Sequence, residues 1–353
     1  MKEALLYEKL EGKVVRCGLC SHCCRIKEGR RGFCGVRRNQ GGVLYTAAYA
    51  RLVAYQVDPV EKKPLYHFLP GTNSYSIAAL GCNFRCGFCQ NWEISQPSAA
   101  KDSFAVSGEE MAPREIVEQA LKSGCKSISY TYTEPTVFFE YALETARLAK
   151  EKGLGNIFVT NGFMTAECLK MLRPWLDAAN VDLKFFREES YQRICRGRLQ
   201  PVLDAICLMK EMGVWVEITT LVVPGENDSA AELGNIAQFI SCIDKGMPWH
   251  VSRFHPDYKF IVQPATPLET LRQAEKIGRS AGLQFVYVGN VSGFGSDTFC
   301  PQCKKAIIKR DGFAVLQYNM ERGQCAFCRA HIPGVFGGTL AANRKGAPIE
   351  GHP

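Results

Sequence analysis

Apolar and polar positions change their rhythm along this chain. From about residue 74 to residue 290, short apolar runs alternate with longer segments in which apolar residues recur every three to four positions, the pattern of strands separated by amphipathic helices. The short runs predict strands at 76–80, 127–133, 156–160, 180–185, 214–222, 249–254 and 284–289. Segment 113–123 reads as a helix: Pro113 suits the first helical position, Ile116, Ala120 and Leu121 recur on one face, and Gly124 suits a left-handed exit. Segment 135–150 likewise opens on Pro135 and runs through Val137, Tyr141, Leu143 and Leu148 to Gly153. At least six βα units in series predict an α/β chain with a parallel sheet, because each parallel pair needs a crossover and crossovers share one hand. The expected fold is a full or partial TIM-type (β/α) barrel, with an open doubly wound sheet as the alternative. In such barrels chemistry sits at the carboxyl ends of the strands.

The two ends break this rhythm. Residues 1–72 form a cysteine-rich lead-in with short strand-like pieces at 43–48 and 52–57 and a stretch at 59–70 rich in Pro, Lys and His. Residues 73–295 form the barrel, 296–336 a second cysteine-rich module, and 337–353, rich in Gly, Pro and charge, a flexible tail. No apolar run approaches the ~18 residues of a membrane helix, and the opening residues lack the apolar core of a signal peptide, so a cytoplasmic protein is expected. The seventeen cysteines are an odd number in such a chain, which argues for metal or redox chemistry over a disulfide framework. The net charge of +8 is concentrated where the end cysteines lie: residues 16–38 contain seven basic residues and one acidic, and residues 300–353 eight and three.

Between the ends, Cys82, Cys86 and Cys89 form CxxxCxxC directly after the first barrel strand. A four-iron cubane takes one outer ligand per iron. Three thiolates therefore leave one iron free for an outside donor, as catalytic metal sites keep an open position. A zinc site short of its fourth ligand is the plainer reading, but zinc knuckles usually pair two CxxC units. Phe84 and Phe88 flank the cysteines; one of them is placed to shield a cluster and Phe88 to face an adenine, with plain packing as the alternative.

These residues resemble the radical S-adenosylmethionine superfamily. The runs LGCNFRCGFCQNWEISQ, YTYTEPTVF, VDLKFF, LVVPGEND, SRFHPDY and CPQC are similar to the radical enzyme of the AmmeMemoRadiSam group, related to the activases that install a glycyl radical in pyruvate formate-lyase. The resemblance runs from about residue 16 to residue 334. It implies a 4Fe-4S cluster on Cys82, Cys86 and Cys89, with S-adenosylmethionine chelating the open iron. One electron would cleave the cofactor to methionine and a 5′-deoxyadenosyl radical, which abstracts hydrogen from a protein or small-molecule substrate. It further implies an electron donor such as flavodoxin or ferredoxin, and Memo-like and AMMECR-type proteins as partners.

The resemblance also assigns strand-end residues to the cofactor. Glu134, in TYTEP, stands where the superfamily often has Gly-Gly-Glu meeting the methionine ammonium, although Tyr132 and Thr133 replace the glycines; an acid there also suits the start of the next helix. Asn161 ends the third strand. Asp182 and Lys184 share a strand face, and the matching Asp-Leu-Lys of the activases reaches the cofactor; a buried ion pair is the alternative. On the fifth strand an activase Arg is replaced by Glu217-Ile-Thr219-Thr220, leaving Thr219 or Thr220 to bond the ribose. Arg253 and His255 lie two apart on the sixth strand, His255 matching an activase histidine near the adenosine. His250 reads as structural, and Asn290 as a turn or cavity residue.

Cys300, Cys303, Cys325 and Cys328 form two CxxC pairs with 21 residues between them, a zinc pattern. At the other end Cys17, Cys20, Cys24 and Cys34 form a zinc site or an auxiliary cluster, with His22 and Cys23 as rival ligands. Cys125, Cys168, Cys195, Cys207 and Cys242 read as packing residues. Two functions compete with the radical enzyme acting on protein or metabolite: radical modification of tRNA or another RNA, suggested by the basic ends, and a non-catalytic zinc-based interaction protein. Four-thiolate metal sites are themselves negative, so the basic ends offset their own metals and nucleic acid is not the expected partner.

Overall fold

The computed structural model describes residues 1–96 and 108–337. Its centre is one eight-stranded sheet of β1 (Ala54–Pro59), β2 (Asn73–Ala78), β3 (Ser127–Tyr130), β4 (Gly155–Thr160), β5 (Ala178–Asp182), β6 (Trp215–Val222), β7 (Trp249–Arg253) and β8 (Val286–Gly289). From β2 to β8 each strand lies parallel to its neighbours in sequence, and β1 runs antiparallel to β2 at one edge. A doubly wound sheet reverses its order at a switch point; this one never does. Among the described residues β8 pairs only with β7, so the ladder does not close on β1 as a full barrel requires. The strand-like piece expected at 52–57 in the lead-in is β1, an edge strand of the main sheet.

Register sorts the side chains by face, because parallel partners point the same way. The pairs Asn180 with Glu217, Asp182 with Thr219, and Thr219 with His250 gather these polar residues on one side. Val181, Ile218, Trp249 and Val251 line the other side, which takes the helices. The fit there is close: a Cβ on Gly278 in the helix Leu268–Ser280 would come within 2.8 Å of Val286 and 2.9 Å of Trp249. Segment 135–150 divides into a 3₁₀ turn, Pro135–Phe138, and an α-helix, Phe139–Glu151.

β2, β3, β5 and β7 stop earlier than their apolar patterns suggest, and side chains from other segments explain the ends of β5 and β7. β5 ends at Asp182 because the next carbonyls are taken from the side: Thr220 donates to the Leu183 carbonyl at 2.9 Å and Asn227 to that of Lys184 at 2.7 Å. β7 ends at Arg253 because Thr266 accepts from the Phe254 N–H at 2.8 Å and donates to the Val222 carbonyl at 2.6 Å. Lys184 and His255 are thus loop residues rather than strand residues.

The cysteine-rich ends pack at opposite ends of the sheet. The amino-terminal module joins the carboxyl-end loops, where Cys20 forms a bridge with Met164 and the Leu19 carbonyl accepts from Thr165. The carboxyl-terminal module closes the amino end together with residues 60–69: Phe68 pairs with Val335, and Arg310 donates to the Tyr66 carbonyl at 2.9 Å. Beneath them Glu217, fully buried, accepts from the N–H groups of Tyr66 and His67 at 3.0 and 2.8 Å, from Trp215 at 3.0 Å, and bonds His250 at 2.7 Å. Burial pushes this carboxyl up, but His250 and its other partners hold it below its ordinary value. His250 is accordingly structural. The tail expected from 337 lies, beyond Gly337, outside the described residues.

Candidate functional site

The CxxxCxxC segment is the loop that leaves β2 at the carboxyl end of the sheet. Gly81 enters it at φ 104°, and a Cβ there would sit 2.9 Å from Val36 and 3.0 Å from the Cys34 carbonyl, so only glycine fits. Backbone and side-chain bonds then fix the loop. Phe84 donates its N–H to Cys82 Sγ at 3.3 Å. Asn83, fully buried, donates to the Phe163 carbonyl at 3.1 Å and accepts from Asn161 at 2.7 Å. Arg85 and Gly87 donate their N–H groups to the carbonyls of Cys195 and Ile194, at 2.8 and 3.3 Å. Those carbonyls are free because the π-helix Tyr191–Cys195 ends there, at Arg196 in the left-handed region (φ 58°). Cys89 Sγ meets Ser95 Oγ at 3.2 Å, and Asn91 donates to the Tyr132 carbonyl at 2.8 Å.

Burial is the main force on two of the three thiols and pushes Cys82 and Cys89 up; Cys86 is held well above its usual value first by a hydrogen bond with Cys195 and then by burial. A thiolate in such surroundings needs a cation beside it. Lys184 supplies part of the charge: burial would lower its ammonium, but Asp182 at 2.8 Å and the sulfurs of Cys86 and Cys195 hold it well above the usual range. Three thiols on one short loop, Cys86 buried and Cys82 and Cys89 half-buried, fit a cubane, whose ligands stand on different irons.

The residues expected around the cofactor occupy this end of the sheet, with uneven freedom to meet a ligand. Phe88 is buried edge-on against Phe185 and Phe260 with Lys184 above its ring. Glu134 accepts from Thr136 N–H and Oγ, from Thr160 Oγ and from Asn161 N–H, at 3.1, 2.6, 2.7 and 2.8 Å, so the helix-start role is the one its bonds show. Asn161 holds Asn83 and lies 3.8 Å from Cys82 Sγ. Thr219 sits beside Asp182 on the polar face, and its buried hydroxyl has no partner among the described residues, which makes it available to a polar ligand. Thr220 is spent on Leu183 and Trp249. Arg253 falls on the face of Val251 and donates to the Thr266 carbonyl at 2.9 Å, while His255 is exposed and bonds the next carbonyl, at 3.0 Å. Asn290, also in the left-handed region (φ 59°), donates to the Arg253 carbonyl at 3.1 Å, a turn role.

Periodicity missed Cys195, which reads as packing yet touches the Cys86 thiol, and Tyr132, whose φ of 62° is one that glycine usually serves. Tyr132 is held there by bonds from its hydroxyl to Asp58 and from Gln56 to its hydroxyl. The positive φ explains how Tyr stands where the superfamily often has Gly: the backbone bend is kept and the strain is borne by the ring's anchors.

In the carboxyl-terminal module Cys300 and Cys328 sulfurs lie 3.6 Å apart and those of Cys303 and Cys325 3.7 Å. Thiolates 2.3 Å from a tetrahedral zinc ion stand about 3.8 Å from each other, so the four fit that ion.

A family model described as the Radical SAM superfamily matches residues 77–239. An uncharacterised protein of Methanocaldococcus jannaschii is 44% identical over 94% of this chain and 99% of its own length. A pyruvate formate-lyase-activating enzyme of Clostridium pasteurianum is 23% identical over 56% of this chain and 86% of that enzyme. A solved radical SAM methyltransferase from Sphaerobacter thermophilus shares 18% identity, with a TM-score of 0.48 over 68% of this chain and 71% of that one. With the family's match beginning inside β2 and spanning the three-cysteine loop, this chain belongs to the radical SAM superfamily and is homologous to the pyruvate formate-lyase-activating enzymes.

Proposed function

We propose that the protein is a radical S-adenosylmethionine enzyme of activase-like type whose substrate is a protein or a small molecule. The observation that carries this reading is the loop of Cys82, Cys86 and Cys89, three buried or half-buried thiols anchored at the carboxyl end of a parallel sheet with no fourth cysteine in the motif. When bound there, a 4Fe-4S cluster supplies one electron to S-adenosylmethionine and so generates a 5′-deoxyadenosyl radical. The chain's own residues bind and orient. Lys184, paired with Asp182, offers a cation for the cofactor's carboxylate, and Thr219 an unspent hydroxyl for a polar group such as the ribose. Phe84 and Phe88, both buried, keep water from the loop.

The AmmeMemoRadiSam assignment, and with it Memo-like and AMMECR-type partners and a flavodoxin- or ferredoxin-type donor, rests on the sequence runs alone. The reading includes zinc on Cys300, Cys303, Cys325 and Cys328, supported by sulfur spacing, and a cytoplasmic location; no helix among the described residues is long and apolar enough to cross a membrane. The test is anaerobic reconstitution followed by dithionite and S-adenosylmethionine. The protein is expected to release 5′-deoxyadenosine and the C82A/C86A/C89A variant none; equal yields from the two would end this reading.

A further inference from the structure

We infer that Cys17, Cys20, Cys24 and Cys34 hold a second iron–sulfur cluster, one whose irons are all closed by protein thiolates. This site is separate from the three-cysteine loop and does not depend on the proposed reaction. The sequence offers six ligand candidates at this end, and the fold selects four. Cys17, Cys20, Cys24 and Cys34 line one small cavity with Arg37, whereas His22 and Cys23 do not. His22 donates from Nε2 to the Asn83 carbonyl at 2.7 Å, and Cys23 is exposed, in the left-handed region at φ 47°.

The space enclosed by the thiols points to the metal. At the other end of the molecule the four thiols stand within 4.8 Å of one another, as one tetrahedral ion requires. The amino-terminal four instead surround a small cavity, with space between them that a tetrahedral zinc site does not leave. A cubane carries each outer thiolate on a separate iron and occupies the space its four ligands surround.

The cavity wall is otherwise apolar, formed by Leu19, Ile26 and Val137, with one buried cation. Arg37, 1% exposed, donates from Nη1 to Cys17 Sγ at 3.5 Å, while its Nη2 pairs with Glu140 and its Nε has no partner among the described residues. A guanidinium at that point offsets the negative charge that four thiolates leave on a cluster, and hydrogen bonds to cluster sulfurs set its potential. The site also abuts the three-cysteine loop. The Cys34 carbonyl lies 3.0 Å from the Cβ position of Gly81, next to Cys82, and Cys20 bridges Met164, beside the Phe163 carbonyl that receives Asn83.

Iron, sulfide and zinc counts on the full chain after anaerobic reconstitution test this, together with EPR after dithionite reduction. The protein is expected to hold about eight irons and the C82A/C86A/C89A variant about four, two cubanes and one. The variant's reduced-cluster signal should be unchanged by S-adenosylmethionine, because no iron in it is open. A wild-type count near four irons with two zinc ions, or a triple variant free of iron, overturns the proposal. The converse variant, C17S/C34S, should lose four irons and keep an EPR signal that responds to S-adenosylmethionine. Should it fail to fold, the triple-variant count decides alone.

Discussion

At the scale of single residues, Thr219 separates binding from folding. Its hydroxyl is buried without a partner among the described residues, a state that costs about 1–3 kcal/mol. Replacing it with Val removes the unsatisfied group and leaves the packing. T219V should therefore melt no lower than the parent yet bind S-adenosylmethionine roughly tenfold more weakly, the loss of one hydrogen bond of about 1.4 kcal/mol. Equilibrium binding to the reconstituted protein measures this, and an unchanged Kd would remove Thr219 from the site. His67 shows a second residue-scale effect. Its Nδ1 donates to the Pro333 carbonyl at 2.7 Å, so the neutral ring accepts at Nε2 from the Tyr287 hydroxyl at 2.6 Å. Burial lowers this histidine to about 4. The unfolded chain binds the proton that the folded one excludes between roughly pH 6.5 and 4, so stability falls as pH is lowered through that window, by a few kcal/mol. Denaturant midpoints from pH 7 to 4 should fall steeply in the parent and less in H67Q; equal slopes would show that other groups carry the loss.

At the scale of elements, the π-helix Tyr191–Cys195 is the part that holds the three-cysteine loop. Its exit runs past Phe84 so closely that a Cβ on Gly197 would lie 2.2 Å from the Phe84 ring. G197A should overpack this contact and destabilise the chain by about 1–3 kcal/mol, read by chemical denaturation, and should lower iron loading of the Cys82 site. Because the cost arises from one pair, G197A/F84L should recover most of it; a double variant no better than G197A would place the strain elsewhere. Element boundaries also show where sequence reading stops. All seven parallel strands and the helix Pro113–Lys122 follow from apolar alternation, to within a few residues. The ends of β5 and β7 do not, because Thr220, Asn227 and Thr266 come from other segments to take the carbonyls and N–H groups that would have continued the ladder.

At the scale of the whole molecule, the two cysteine-rich modules pack at opposite ends of the sheet. The carboxyl-terminal one packs Cys300, Cys325, Ile307 and Ile332 with Tyr66 and Tyr287 at the amino end, away from the loop of Cys82. With zinc held there as proposed, a C303S/C328S variant should lose one zinc per chain and melt several degrees lower, since structural zinc contributes folding energy directly. Its folded fraction should still form 5′-deoxyadenosine within about twofold of the parent, because distant sites act nearly independently. Metal analysis with a turnover assay on the same sample checks both; a large loss of turnover at full folding would give the module a part in the chemistry.

What the sequence determined by itself is local. Hydrophobic period sets strand and helix, and covalent spacing keeps Cys82, Cys86 and Cys89 on one loop whatever the rest of the chain does. Tertiary structure alone decided which distant groups meet that loop. It brought Cys195 to Cys86, spent the Glu134 carboxylate on four protein donors, left the Thr219 hydroxyl unpaired and turned Cys23 out while Cys17, Cys20, Cys24 and Cys34 face one cavity. The physical reason is that a side chain's direction and partners depend on segments a hundred or more residues away, and no local period records where those segments pack.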